Sequence, residues 1–204
     1  KIYPVNPKGG IIEGLQAYTS VLEVPGEVDL AIIVVNAKFV LSTIDQCNEK
    51  GIKGICIITA GFKETGAAGA ELEKELVEKI HSYGMRCVGP NCLGVVNTHP
   101  DVRMDGCFAE SLPERGNIGF VSQSGALGGG ILNILKDLNL GFAQFISIGN
   151  QADVNAETAL EYWENEEDVE QILLYMESIQ NPANFRKLAS RISKKKTGIS
   201  FESR

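Results

Sequence analysis

The sequence predicts an α/β protein built on parallel sheets. Short runs rich in β-branched and aromatic residues alternate along the chain with segments whose apolar residues recur at helical spacing. The strand-like runs are continuously apolar, as expected for strands that are buried on both faces of a parallel sheet. The predicted strands cover residues 2–5, 28–35, 54–59, 85–88, 118–121, 142–148 and 171–176.

Two helices are especially clear. Residues 70–83 form one, because Leu72, Leu76 and Ile80 share a face. Another begins after Asn181, a favourable cap that is followed by Pro182, and it ends in three lysines. The last residues, "TGISFESR", then stand where a further strand is expected.

The alternation fails once, between residues 95 and 115. This stretch is rich in glycine and proline and has little periodicity, which is typical of a connection between domains. We therefore expect a first unit over residues 1–100, a linker over 101–116 and a second unit over 117–204.

Composition narrows the class of protein. Of 204 residues, 44% are hydrophobic and 22% are charged, as in ordinary soluble proteins, and no apolar segment is long enough to span a membrane. The net charge of −7 argues against nucleic acid as a partner. Five cysteines, an odd number without paired metal-ligand spacing, favour free thiols in the reducing cytoplasm and give no indication of a metal site.

The stretch "GFVSQSGALGGGIL" predicts a strand-to-helix turn at residues 122–125. Free N–H groups at the start of a helix attract anions, and small residues let an anion approach, so Ser122, Ser124 and Gly125 could hold one. A plain helix cap explains the same residues equally well. A hydrolase nucleophile elbow is disfavoured because Phe120 stands where that motif has glycine.

A second unusual stretch is "CVGPNCLGVVN", which offers Asn91 and Cys92 after a glycine–proline turn. A thiol nucleophile needs a general base, and nothing in the sequence ties His81 or His99 to Cys92. We favour a structural turn over a nucleophile.

Three loops of the first unit are candidates for a ligand crevice. "VVNAKF" and "ITAGFKE" follow predicted strands, at the ends where parallel sheets bind ligands. Lys8 follows the first predicted strand, where an NAD-binding domain would carry an acidic residue. NAD is therefore disfavoured, while a phosphate of CoA or NADP, or simply solvent, fits Lys8.

Four motifs, "GPNCLG", "GFVSQSGALG", "ISIGNQADV" and "ILLYMES", occur in this order at intervals that resemble those of the NDP-forming acyl-CoA synthetases. That family includes the ADP-forming acetate–CoA ligases, which are the more similar branch, and the succinyl-CoA synthetase α subunit. The resemblance runs from Lys1 to about Lys196. It implies a Rossmann-like CoA-binding domain, here without its first strand and glycine-rich loop, followed by a flavodoxin-like ligase domain.

The resemblance also implies a reaction. Acyl-CoA, ADP and phosphate are interconverted with a free acid, CoA and ATP through a phosphorylated histidine, while ATP or ADP and Mg²⁺ bind to a β subunit or a fused ATP-grasp domain. Ser122, Ser124 and Gly125 would receive the phosphoryl group, Glu177 would orient the histidine, and Asn91 and Cys92 would line the same pocket. The implied CoA-binding residues are Lys8, Asn36, Ala37, Lys38, Thr59, Ala60 and Gly61.

One departure from the family leaves an alternative open. The histidine is expected after the strand that follows Lys196, but "TGISFESR" contains none, and neither His81 nor His99 falls at the family position. This chain alone is therefore not expected to complete the reaction. Related domains without the histidine serve as CoA-sensing modules of protein acetyltransferases, so a sensing role is the alternative. An NADP-linked dehydrogenase half is a weaker one.

Overall fold

The first unit carries a small parallel sheet. The structure, a computed structural model, describes residues 1–110 and 114–203. After a hairpin of β1 (Ile11–Ile12) and β2 (Leu15–Gln16), a three-stranded parallel sheet has the order β3-β4-β5. Its strands are β3 (Leu30–Ile33), β4 (Gly54–Ile57) and β5 (Arg86–Val88), and its helices are α1 (Ala37–Lys50) and α2 (Ala67–Ser82).

The core of the first unit lies between this sheet and its helices. Val40 and Ile44 of α1 and Leu76 of α2 are fully buried against Ile55 and Ile57 of β4. Apolar spacing along both helices therefore produces the expected buried face. Residues 34–36 after β3 and Ala60 after β4 are exposed at one edge of the sheet.

The strand predicted for residues 2–5 is not formed. Val5 makes only an isolated bridge to Tyr18. Pro4 stands within the run, and proline cannot donate the hydrogen bond that a sheet needs.

The second sheet has six strands in the order β11-β10-β8-β9-β6-β7. The strands β8 to β11 are parallel to one another, whereas β6 pairs antiparallel with both β9 and β7. Helices follow three of the parallel strands, as in other α/β proteins. The elements are β6 (Gly94–Asn97), β7 (Met104–Cys107), β8 (Arg115–Ser122), α3 (Gly125–Asp137), β9 (Phe142–Ser147), α4 (Ala156–Trp163), β10 (Gln171–Met176), α5 (Pro182–Ile192) and β11 (Thr197–Ser203).

Part of the predicted linker has regular structure, since Met104–Cys107 form the edge strand β7. Its hairpin partner β6 also belongs to the second sheet, although residues 94–97 were expected to close the first unit. A Cβ on Gly94 would lie 2.1 Å from the carbonyl oxygen of Gly106, so these glycines permit a close backbone crossing. Gly106, which helped to suggest a linker, therefore serves tight strand packing.

The carboxyl end of the chain also differs from a simple tail. Thr197–Ser203 form β11, the further strand expected there, which lies parallel to β10 and places Ser203 opposite Met176. The last helix begins as predicted, with the Asn181 side chain accepting a hydrogen bond from the N–H of Asn184 at 3.1 Å. Of the helices described, none is long and apolar enough to cross a membrane.

Candidate active site

The turn between β8 and α3 exposes the start of a helix at the carboxyl edge of the larger sheet. Ser122 is fully buried and donates from Oγ to the carbonyl of Ser124 at 2.7 Å. Ser124 caps α3 by accepting the N–H of Leu127 at 3.3 Å. The N–H groups of Gly125 and Ala126 bind no acceptor within the described ranges, as is usual in the first turn of a helix. They offer two free donors at the positive end of the helix dipole.

The glycines of α3 have different reasons for lacking a side chain. A Cβ on Gly128 would lie 3.1 Å from both Phe145 and Ser122, so glycine permits the helix to pack against the sheet. A Cβ on Gly125 would make only an ordinary contact, 3.5 Å from the Cβ of Leu93. Packing therefore does not require glycine at position 125. The lack of a side chain there does leave the free N–H groups accessible.

Glu177 lies at the end of β10, the strand beside β8. The register pairs Tyr175 with Ser122, so both strands end at the same edge of the sheet. Glu177 is exposed, and within the described part of the chain its carboxylate makes no hydrogen bond or ion pair. The free carboxylate of Glu177 thus follows the strand next to β8, the strand that leads to the free N–H groups of α3.

Gln123 connects these two features and was missed by sequence reasoning. Its Oε1 accepts the N–H groups of Glu177 at 2.8 Å and Ser178 at 3.0 Å, while its Nε2 lies 3.2 Å from Ser178 Oγ. In the sequence, Gln123 stands out only by its position between two serines of the turn. That position does not indicate a contact with Glu177, which lies 54 residues away.

The loop after β5 approaches the same region through its backbone. Asn91 adopts φ 58°, its N–H donates to the carbonyl of Thr59 at 3.0 Å, and its Nδ2 donates to Asn150 Oδ1 at 3.3 Å. The N–H of Leu93 donates to Ser147 Oγ at 2.9 Å. This loop therefore joins the CoA-domain crevice predicted at Thr59 to the ends of the larger sheet.

The Cys92 side chain is enclosed by other residues. Its thiol is buried, lies 3.8 Å from the Cys56 sulfur and donates to the carbonyl of Ile57 at 3.2 Å. The hydrogen bond from Cys56 lowers the pKa of Cys92. The two histidines lie elsewhere: His81 contacts Asp153, and His99 contacts Asp168. The Cys92 sulfur packs between the two sheets, and a place for Asn91 and Cys92 beside the phosphoryl group stays a prediction.

A buried polar network holds the loop after β9. Asn150, only 7% exposed, donates from Nδ2 to Glu64 at 2.6 Å and to Glu73 at 2.8 Å, while Lys63 bonds to the Asn150 carbonyl and pairs with Glu73. Burial would raise the pKa of Glu64, but the hydrogen bonds from Asn150 and from the N–H groups of residues 61 and 62 lower it. The network fastens the second unit to the start of α2.

The predicted CoA-binding loops meet at the carboxyl edge of the smaller sheet. Asn36 caps α1 by accepting the N–H of Lys38 at 3.3 Å, and Thr59 donates from Oγ1 to the carbonyl of Val35 at 2.7 Å. Gly61 has φ +111°, and a Cβ there would lie 3.0 Å from that of Ala37. Residues 36–38 and 59–61 are therefore brought together, with Lys38 and Ala60 exposed.

Lys8 makes its one described polar contact within its own turn. It is exposed and closes a turn in which its N–H donates to Asn6 Oδ1 at 3.0 Å. Among the contacts described, none joins Lys8 to residues 36–38 or 59–61. An exposed ammonium group in a turn suits a phosphate, and a role for Lys8 in binding CoA stays a prediction.

Family models match nearly the whole chain. The model described as a CoA binding domain matches residues 1–98, and the one described as a succinyl-CoA ligase like flavodoxin domain matches residues 115–201. The chain therefore belongs to the NDP-forming acyl-CoA synthetases. The predicted family and fold class are confirmed.

Individual relatives indicate the branch of the family. The chain is 48% identical over 202 residues to the acetate–CoA ligase [ADP-forming] II subunit alpha of Pyrococcus furiosus, covering 99% of this chain and 44% of the relative. It is 43% identical over 203 residues to the acetate–CoA ligase [ADP-forming] of Methanocaldococcus jannaschii, covering 100% and 28%.

A solved structure of a similar enzyme also resembles this chain. It is the dinucleotide forming acetyl-coenzyme A synthetase 1 of Ca. Korarchaeum cryptofilum in complex with phosphate and ADP, with a TM-score of 0.88 at 38% identity, covering 98% of this chain and 43% of that chain. The chain thus spans less than half the length of these proteins.

Proposed function

We propose that this chain is the CoA-binding and phosphoryl-accepting portion of an acid–thiol ligase, the ADP-forming acetate–CoA type of acyl-CoA synthetase. The main support is that two groups lie at the same edge of the larger sheet. These are the free N–H groups at the start of α3 and the free carboxylate of Glu177, which follows the neighbouring strand. A phosphoryl group needs donors, and a histidine that carries it needs an acceptor for its other ring nitrogen. Both are present at one edge of the sheet.

The chain's own residues have distinct parts in this proposal. The N–H groups of Gly125 and Ala126 hold the phosphoryl oxygens, and the helix dipole stabilises their negative charge. The Ser122 and Ser124 hydroxyls shape the turn through their bonds to the Ser124 carbonyl and the Leu127 N–H. Glu177 accepts a hydrogen bond from the histidine and fixes the tautomer that presents the other nitrogen to phosphate.

The histidine is proposed to follow β11. Because Ser203 pairs with Met176, chain continuing past β11 would leave the sheet beside Glu177. In this proposal β11 is the strand that precedes the family's histidine loop.

CoA is proposed to bind at the edge formed by residues 36–38 and 59–61. Exposed Lys38 supplies a positive charge for phosphate, and the left-handed Gly61 lets the two loops approach each other closely. The hydrogen bond from the Asn91 N–H to the Thr59 carbonyl joins this edge to the phosphoryl site. CoA could therefore reach from one unit to the other along this loop.

The remaining components belong to the complete protein. We propose that ADP or ATP and Mg²⁺ bind to a β subunit or to a fused ATP-grasp domain. The first case requires a protein of two subunits, and the second a single longer chain. All five cysteines are free, which suits a cytoplasmic protein.

The test uses the full-length protein together with its β chain where that is separate. Acetyl-CoA, ADP and phosphate should yield ATP, and omission of any one should abolish the yield. If the intact protein binds CoA but forms no ATP from acetyl-CoA or from other acyl-CoA compounds, the ligase proposal is wrong and the sensing alternative gains support.

A further inference from the structure

The Gln123 side chain spans two strands and holds the loop that carries Glu177. The backbone N–H of Gln123 donates to the Tyr175 carbonyl at 2.9 Å, which continues the pairing of β8 with β10. Its Oε1 then accepts two consecutive N–H groups beyond the end of β10, those of Glu177 and Ser178. One residue thus makes every described polar contact between the turn at residues 122–125 and residues 177–178.

An amide suits this position for a geometric reason. A carbonyl oxygen has two lone pairs, so Oε1 can satisfy both N–H groups, while Nε2 can donate to the Ser178 hydroxyl 3.2 Å away. A carboxylate could accept the same two N–H groups, but it would place a negative charge beside both Glu177 and the anion-binding helix end. Gln123 therefore fastens the loop without opposing phosphate.

Glu177 depends on this contact because its own side chain has no partner within the described ranges. An exposed carboxylate without a hydrogen bond samples several rotamers, and its average position follows from its backbone. That backbone is held by the Gln123 amide at 2.8 Å. Loosening the amide would move the Glu177 carboxylate relative to the start of α3.

We propose that Gln123 is a positioning residue that holds Glu177 at the phosphoryl site and so links the phosphate-binding turn to the carboxylate that orients the histidine. This assignment rests on the proposed ligase function. Gln123 itself binds no reacting atom, and its effect on the reaction passes through Glu177.

The first test measures position without catalysis. Gln123→Met removes the amide and keeps the side-chain length. The control is Gln171→Met, which makes the same change at the exposed first residue of β10, the strand that leads to Glu177. In the full-length protein, hydrogen–deuterium exchange of the peptide containing residues 177 and 178 should quicken about tenfold in Gln123→Met and stay unchanged in Gln171→Met. Equal exchange in both variants would overturn the proposal.

The second test is a double-mutant cycle on phosphoenzyme formation. Gln123→Met should slow phosphorylation about tenfold without changing the KM for CoA more than about twofold. If Gln123 acts through Glu177, the variant with both Gln123→Met and Glu177→Gln should be no slower than Glu177→Gln alone. Losses that multiply would show that Gln123 acts independently of Glu177 and would overturn the proposal.

These outcomes separate the two proposals. A wild-type protein that forms no phosphoenzyme contradicts the ligase function, and the catalytic positioning role then falls with it. A wild-type protein that is phosphorylated at the same rate as Gln123→Met leaves the ligase function standing and contradicts only the role of Gln123.

Discussion

Arg86 and Asp153 join the two units through a charged hydrogen bond, with the Arg86 Nε 2.9 Å from the Asp153 carboxylate. The same carboxylate accepts the N–H of Cys87 at 2.7 Å and contacts His81 Nε2 at 3.1 Å, although its side chain is only 6% exposed. Asp153 therefore connects the loop after β9 to both β5 and α2. This contact keeps the proposed CoA-binding edge and the proposed phosphoryl site in a defined relation.

Asp153→Asn should destabilise the protein. The amide cannot accept all three donors and loses the charge that pairs with Arg86, so we expect a loss of about 1–3 kcal/mol in the free energy of unfolding. Chemical denaturation of the wild type and the variant measures this. Asp137→Asn, at an exposed aspartate at the end of α3, is the matched control and should be nearly neutral. Equal stabilities of the two variants would contradict the account.

The contribution of Asp153 should depend on pH in a defined direction. Burial opposes its ionisation, but the hydrogen bonds from Arg86, Cys87 N–H and His81 more than offset burial and lower the pKa of Asp153. A lowered pKa in the folded state stabilises the protein above the ordinary value of about 3.9, and this stabilisation is lost as pH falls through the folded pKa.

The difference in stability between the wild type and Asp153→Asn should therefore be constant near pH 6 and shrink below about pH 4. His81 faces Asp153 from α2, so the comparison is repeated in a His81→Gln background to separate the contribution of this contact. A difference that grows on acidification would contradict this assignment.

Gly125→Ala should impair the anion site and leave the fold intact. The new methyl group would only touch Leu93, so stability should fall little or rise by up to about 1 kcal/mol through better helix propensity. Phosphoenzyme yield in the full-length protein should nevertheless drop, because the methyl group crowds the free N–H groups. Gly129→Ala, whose Cβ would lie 3.6 Å from Leu93 Cδ2 on the same helix, is the control with normal yield. Equal yields would place the anion elsewhere.

Cys92→Ala should affect stability more than catalysis. The buried thiol loses its bonds to Cys56 and the Ile57 carbonyl, at a cost of about 1 kcal/mol, while the rate of phosphorylation should stay within about twofold. The partly exposed Cys107, changed to Ala, provides a comparison outside this buried pair. A large loss of rate at unchanged stability would restore a chemical role for the Cys92 thiol.

Periodicity predicted most of the architecture. The six apolar runs after residue 20 form strands at the expected places, and the small-residue turn at 122–125 does begin a helix. The sequence did not predict elements whose local composition differs from what their place in the fold would suggest. β7 is an edge strand with only Gly106 buried, so "MDGC" shows no strand-like apolar run.

The site was only partly predictable for a related reason. Ser124 and Asn36 could be identified as helix caps because capping is local. The partners of Gln123, Asn150 and Asp153 lie 54 or more residues away in sequence for their main contacts. Nothing in local spacing indicates such partners. The burial of the Cys92 side chain was not predictable from the sequence, because it depends on how two sheets pack.

Phosphorylation of the full-length protein in the wild type and in Glu177→Gln tests the central claim most directly. With acetyl-CoA and radiolabelled phosphate, the wild type should acquire an acid-labile label, and Glu177→Gln should acquire it at least about tenfold more slowly while binding CoA normally. An unlabelled wild type, or equal labelling of both proteins, would contradict the account.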